Sequence, residues 1–238
     1  MPADTAANGA TKIPVTMPAK TEILGAEDAA TSSIPPAIAL EAPLDPAAYI
    51  CGPGDQFELT FWGQQNFRLR FAADLEGRAF LSKIGYVAVA GQPLASVRAQ
   101  ILSKVRSKYP GLQLDLALVG PRKFMVHVAG NVKIPGSLTA QAMERVSSVI
   151  ARAGGSTGSR RRITIHRRTG AEVTADLALY ELTGDTRYDP YVLDGDLLQV
   201  PFPEVMVAID GAVPNPGKYE LVSTKDLTEL LQLAGGLT

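Results

Sequence analysis

The chain has 238 residues, 46% of them hydrophobic and 20% charged, with a formal net charge of −1. That length holds two or three small domains, and the near-neutral balance gives no global field favouring nucleic acid or an anionic membrane. One cysteine, Cys51, excludes an intrachain disulfide and a cysteine-rich metal site, and no run of about 18 apolar residues is present to cross a bilayer as a helix.

Residues 1–45 are rich in Ala, Pro, Thr and Ser without sustained periodicity and read as a flexible lead-in. The opening "MPADTAANGATKIPVTMPAK" has no charged stretch followed by an apolar one, so it is not a secretory signal. The expectation is a cytoplasmic chain or a piece of a longer, processed one. No apolar leader precedes Cys51, which is expected to pack as a small hydrophobe rather than carry a lipid.

Order is expected from "YICGPGDQFELTFWG", Tyr49–Gly63. Gly52-Pro53-Gly54-Asp55 is a turn, and Phe57, Leu59 and Phe61 then alternate with Glu58 and Thr60 as in a half-buried strand. "GRAFLSKIGYVAVAG", Gly77–Gly91, reads as two short strands around a turn at Gly85. Leu94, Val97, Ile101 and Val105 recur at helical spacing, and Pro110-Gly111 ends that helix. Leu112, Leu114, Leu116 and Leu118 then mark one face of a strand, closing a first module at about residue 122.

The second module, residues 123–203, opens with a strand carrying Phe124, Val126 and Val128 inward. A turn at Ile134-Pro135-Gly136 follows, then a helix near Met143–Ala153 that exposes Glu144, Arg145 and Arg152. Ile163 and Ile165 face inward on the next strand, Thr169-Gly170 turns it toward Val173, and Asp194-Gly195-Asp196 precedes the alternating Leu198 and Val200. One helix across a small mixed sheet is a β-grasp arrangement.

Part of this module occurs twice. The 32-residue pattern Val126–Thr157 recurs without a gap as Val207–Thr238, displaced by 81 positions. Gly130, Pro135, Gly136 and Ala153-Gly154-Gly155 match Gly211, Pro216, Gly217 and Ala234-Gly235-Gly236, and Val128, Val146, Val149 and Ile150 match Ile209, Leu227, Leu230 and Leu231. The spacing suits tandem small domains rather than a solenoid. Residues 204–238 are therefore read as a partial second domain. Its apolar Ile209, Leu227, Leu230 and Leu231 need a cover, so it is expected to pack on the first repeat, to pair with another chain, or to be poorly ordered.

These segments carry a family resemblance over residues 46–238. "YICGPGDQFELTFWG" and "GRAFLSKIGYVAVAGQPLASVRAQI" resemble the polysaccharide export domain. Val128–Gly136, Ala153–Gly155 and Asp194–Pro201 resemble the marks of soluble-ligand-binding β-grasp (SLBB) domains. The chain is thus similar to outer-membrane polysaccharide export proteins of the Wza-like type. The resemblance implies an α+β chain: an export domain built on a small mixed sheet with a helix, then tandem β-grasp SLBB domains, the second truncated. It implies a periplasmic, outer-membrane-associated protein without enzymatic activity or cofactor. Its partners would be capsular or secreted polysaccharide, further copies of itself in a ring, and an inner-membrane co-polymerase or chain-length regulator. Cys51 departs from the family's usual Leu or Ile. The other reading is a small-ligand- or glycan-binding β-grasp module without a transport role.

Candidate chemistry is sparse. Asp194 and Asp196 offer an acid pair for a metal or for catalysis, or simply cap a turn, as Asp55 does in its own turn. His127 and His166 fall on strands, point outward by alternation and share no zinc spacing with other ligands. No nucleophile elbow, phosphate loop or dinucleotide fingerprint is present. Arg160, Arg161, Arg162, Arg167 and Arg168 lie within nine residues, with His166 beside them. Such a run can hold carboxylates or phosphates of an acidic glycan, meet acidic residues of a neighbouring subunit, or form a solvated face. It lacks the aromatics that stack on nucleic-acid bases. If alternation continues, Arg162, His166 and Arg168 share a face opposite Arg161 and Arg167. Trp62, facing away from Phe57, Leu59 and Phe61, can stack on a sugar ring or pack at an interface.

Overall fold

The computed structural model describes residues 43–63, 66–222 and 227–237. The expected lead-in lies outside the described residues up to position 42. The chain divides into two units after Gly120.

In the first unit, β1 (Gln56–Trp62) is the middle strand of a three-stranded antiparallel sheet, between β2 (Phe67–Ala72) and β5 (Gln113–Gly120). The alternation in β1 buries Phe57, Leu59 and Phe61, and Phe57 and Phe61 stack across the strand pair on Phe71 and Phe67. Phe67, Leu69 and Phe71 alternate with Arg68 and Arg70, a pattern absent from the expected elements. Both arginines lie beside Glu58 on the other face. Between β2 and β5, β3 (Arg78–Leu81) pairs with β4 (Gly85–Ala88), and α1 (Leu94–Lys108) follows. The β3–β4 turn is Ser82–Ile84, so Gly85 opens β4 instead of forming the turn. The helical stripe Leu94, Val97, Ile101 and Val105 is buried, and α1 lies against β5. Each such large side chain removed from water contributes about 1.5–3 kcal/mol.

The opening turn works as read. Asp55 is buried, and its carboxylate accepts from the Tyr49 hydroxyl at 2.6 Å and from the Gly52 amide at 2.8 Å. Cys51 is buried as a small hydrophobe.

The second unit begins with β6 (Lys123–Gly130), β7 (Gly136–Gln141), α2 (Val146–Arg152), β8 (Ile163–His166) and β9 (Glu172–Ala175). Next come α3 (Leu177–Thr183), a 3-10 turn at Thr186–Tyr188, and β10 (Leu197–Val200). The sheet runs β7-β6-β10-β8-β9; β10 is parallel to β6 and every other pairing is antiparallel. A mixed sheet with α2 gives the expected α+β, β-grasp form, to which α3, not expected from the sequence, is added between β9 and β10. Its inner rows are Val126, Val128, Leu198, Val200, Ile163 and Ile165, all buried, as are Val146, Val149 and Ile150 of α2.

Two expectations need correction. The helix begins at Val146, not Met143, because Met143 sits in a left-handed turn at φ 74° and the Pro135-Gly136 turn leads into strand β7. Arg145, expected on the surface, is 9% exposed. Its guanidinium donates to the Asp189 carbonyl at 2.5 Å and lies 4.2 Å from the centre of the Tyr191 ring. The cause is the stretch between β9 and β10. It folds over the start of α2, and the Asp189 carboxylate accepts from the Ser147 amide at 2.9 Å.

The repeat is present in the backbone. β11 (Met206–Ile209), β12 (Gly217–Glu220) and α4 (Leu227–Leu233) reproduce β6, β7 and α2 at the same 81-residue displacement. Val126 pairs with Leu138 as Val207 pairs with Tyr219. The Ile134 amide donates to the Ala153 carbonyl as the Asn215 amide donates to that of Ala234. The second copy packs on the first repeat, one of the outcomes expected for it: α4 lies against α3, and Leu230 is 1% exposed, though Leu227 stays 60% exposed.

Candidate functional site

The basic run sits where β8 begins and ends, and its arginines are turned toward separate carboxylates. Arg160 pairs with Glu181 of α3 at the surface. Arg161 is buried, its Nε 3.0 Å from Asp176, the N-cap of α3, and its Nη2 bonded to Glu229 of α4. Burial opposes its charge, but the bonds to Glu229 and Asp176 win and raise its pKa, so it stays a cation. Arg162 reaches Glu204 and Glu220. Arg167 pairs with buried Asp196, and Arg168, 72% exposed, lies 3.2 Å from Asp194. The run is therefore not one open basic face. Arg161 is excluded from such a face by burial, and Arg162 is largely covered.

The Asp-Gly-Asp turn is built by its own residues. The Leu193 amide donates to the Asp196 carboxylate at 2.6 Å, and Gly195 adopts φ 75° where a Cβ would lie 2.3 Å from the Arg168 side chain. Asp196 is thus committed to the turn and to Arg167, while Asp194 lies half-exposed beside Arg168. Burial pushes the Asp196 carboxyl up from its ordinary value, against the opposing Leu193 amide and Arg167.

His127 and His166 share a row across the outer face of the sheet. Both are register partners of Leu197, on opposite sides of β10. Two strand spacings, about 10 Å, separate their backbones. His127 Nδ1 is 2.8 Å from the Ser137 hydroxyl, and His166 Nδ1 is 3.0 Å from Glu172. Both point outward, as alternation requires. Trp62 also turns away from the buried face of β1 and is 43% exposed. Among the described residues, no group of three or more His, Cys, Asp or Glu is placed to hold a metal ion, and no helix is long and apolar enough to cross a membrane.

Residues 44–119 match the family model described as polysaccharide biosynthesis/export protein, and residues 125–175 match the SLBB domain. Together the two matches span more than half of the chain. The chain belongs to the Wza-like polysaccharide export family.

In this export protein the SLBB match ends at Ala175, the last residue of β9, and the segment carrying α3 begins directly after it. That segment supplies Asp176, Glu181 and Asp189, three of the carboxylates that fix Arg161, Arg160 and α2. Glu220 and Glu229 are the other functional residues missed from the sequence. A helical acid such as Glu229 carries no local mark of a partner 68 positions away. The outer sheet face combines His127, Ser137, Thr139, Thr164, Thr174 and Gln199, groups suited to reversible hydrogen bonds with hydroxyls.

Proposed function

We propose that this chain is the periplasmic part of a polysaccharide exporter, assembling as a homo-oligomeric ring that passes capsular or secreted polysaccharide to and across the outer membrane. The observation that carries the reading is the order of the two family domains, export then SLBB, in one chain. The ring would meet an inner-membrane co-polymerase that delivers the glycan, and the chain would carry out no chemistry itself. Self-neutralised arginines support passage over capture. An open fork of guanidinium groups would hold acidic sugars bidentately, whereas paired ones offer weak, exchangeable contacts. The exposed groups of Arg160, His166, Arg168 and Trp62, with the hydroxyl-rich outer sheet face, are the proposed glycan or subunit contacts. Arg161 and Arg162 serve the fold instead.

The test is sedimentation and electron microscopy of the full chain across a concentration series, paired with calorimetric titration of candidate cofactors and glycan fragments. Rings with an open centre and weak glycan binding are expected. A monomer at every concentration that binds one small molecule one-to-one with Kd below about 1 μM would replace the exporter with the ligand-binding reading.

A further inference from the structure

We infer that Arg161 is the pin of a one-way clasp that fixes the second β-grasp copy on the first, independently of what the assembly transports. Its three donor nitrogens serve three elements. Nε faces Asp176 at the head of α3 at 3.0 Å, Nη1 donates to the Glu220 carbonyl at the end of β12 at 3.0 Å, and Nη2 bonds Glu229 in α4. The side chain is 4% exposed, so the cation is withdrawn from water and held by this set of acceptors. Glu220 closes the arrangement from the other side. Its carboxylate accepts from the Ser159 hydroxyl at 2.7 Å and from Arg162 Nε at 3.3 Å, and it too is buried.

The clasp has a direction. Thr139 and Ser148 stand in the first copy where Glu220 and Glu229 stand in the second. The first β-grasp copy thus brings the arginines and lacks the acids at these positions, while the second brings the acids. The duplicated backbone is the same in both copies, and this difference in side chains decides which of them is grasped. Arg161 suits the role because a planar fork serves several acceptors at fixed angles, which a lysine ammonium on its flexible stem does not. Coulomb attraction at this depth is little screened by salt, so the joint resists ionic strength better than a surface pair.

Hydrogen exchange of the full chain, resolved by segment, tests the clasp. In Arg161→Met and in the double variant Glu220→Gln/Glu229→Gln, amides of β11, β12 and α4 are expected to exchange at least about tenfold faster than in the parent. Those of β8 and β10 are expected to stay within about threefold. The double variant keeps Arg161 and alters only the second copy, so it reads the joint even if Arg161→Met unfolds the first. Unchanged exchange in the second copy of the double variant would overturn the proposal, as would equal acceleration in β8 and β10. Arg161→Lys is expected to fall between parent and Met; full protection with lysine would show that charge alone suffices and overturn the three-way pin.

Discussion

Asp196 shows how a residue can be correctly placed by local rules and still carry an electrostatic cost. Its carboxylate is buried; one oxygen takes the Leu193 amide and Arg167, while the other meets no donor among the described residues. Burial raises its pKa above the ordinary value near 4, so the folded state holds the proton more tightly than the unfolded chain. Stability from this group is therefore full at acid pH and falls as pH rises from about 4 through the raised folded value. Asp196→Asn removes the titration. The variant's deficit in Tm relative to the parent is expected to be largest near pH 4.5 and to shrink toward pH 7; a deficit that grows over that range would show the carboxyl to be held down by Arg167 instead. The turn itself was legible because glycine and the capping amide lie within three residues. The burial of Arg145 and Arg161 was not: their acceptors are 44 and 59 positions away, beyond any periodic signal. The five arginines therefore read as one patch in sequence and divide among separate partners in space.

At the scale of elements, alternation and helical spacing located most strands and the core stripe of α1, and the 81-residue recurrence anticipated equal backbones in the two copies. It could not tell how differently those copies are surrounded. Gly130 and Gly211 both adopt left-handed angles, φ 87° and 94°. Beside Gly130 runs β10, so that a Cβ would stand 2.2 Å from the Val200 carbonyl oxygen; at Gly211 it would meet nothing within 4 Å. Gly211→Ala therefore costs the conformational penalty alone, about 1–2 kcal/mol. Gly130→Ala adds a backbone displacement of about 1–3 kcal/mol, bringing its loss to about 2–5 kcal/mol. Urea unfolding of the two variants measures the difference, and equal losses would mean that β10 does not run beside β6 in solution. The late start of α2 has the same lesson: Met143 takes a left-handed angle that its side chain disfavours, and apolar spacing alone extends the helix through it.

Across the whole molecule the titratable groups are spent on holding segments together. Asp55 ties the opening turn, Asp189 caps α2, Asp176 and Glu229 hold Arg161, Glu220 holds Ser159 and Arg162, and Asp196 holds the last turn before β10. The two histidines remain on the outer sheet face, each beside its own neighbour on the adjoining strand and apart from the other. An acid–base pair needs its members within hydrogen-bond reach of one reacting atom, and removing such a member costs about 10²–10⁴ in rate. In a passive wall the same side chains contribute single exchangeable hydrogen bonds of about 0.5–1.5 kcal/mol. The double variant His127→Gln/His166→Gln keeps hydrogen-bonding capacity and removes imidazole chemistry. In cells dependent on this chain, it is expected to export polysaccharide within about tenfold of the parent, because glutamine keeps the hydrogen bonds and the change costs at most about one such contact. A hundredfold or greater loss with an unchanged Tm would place the histidines in a chemical step and end the passive reading.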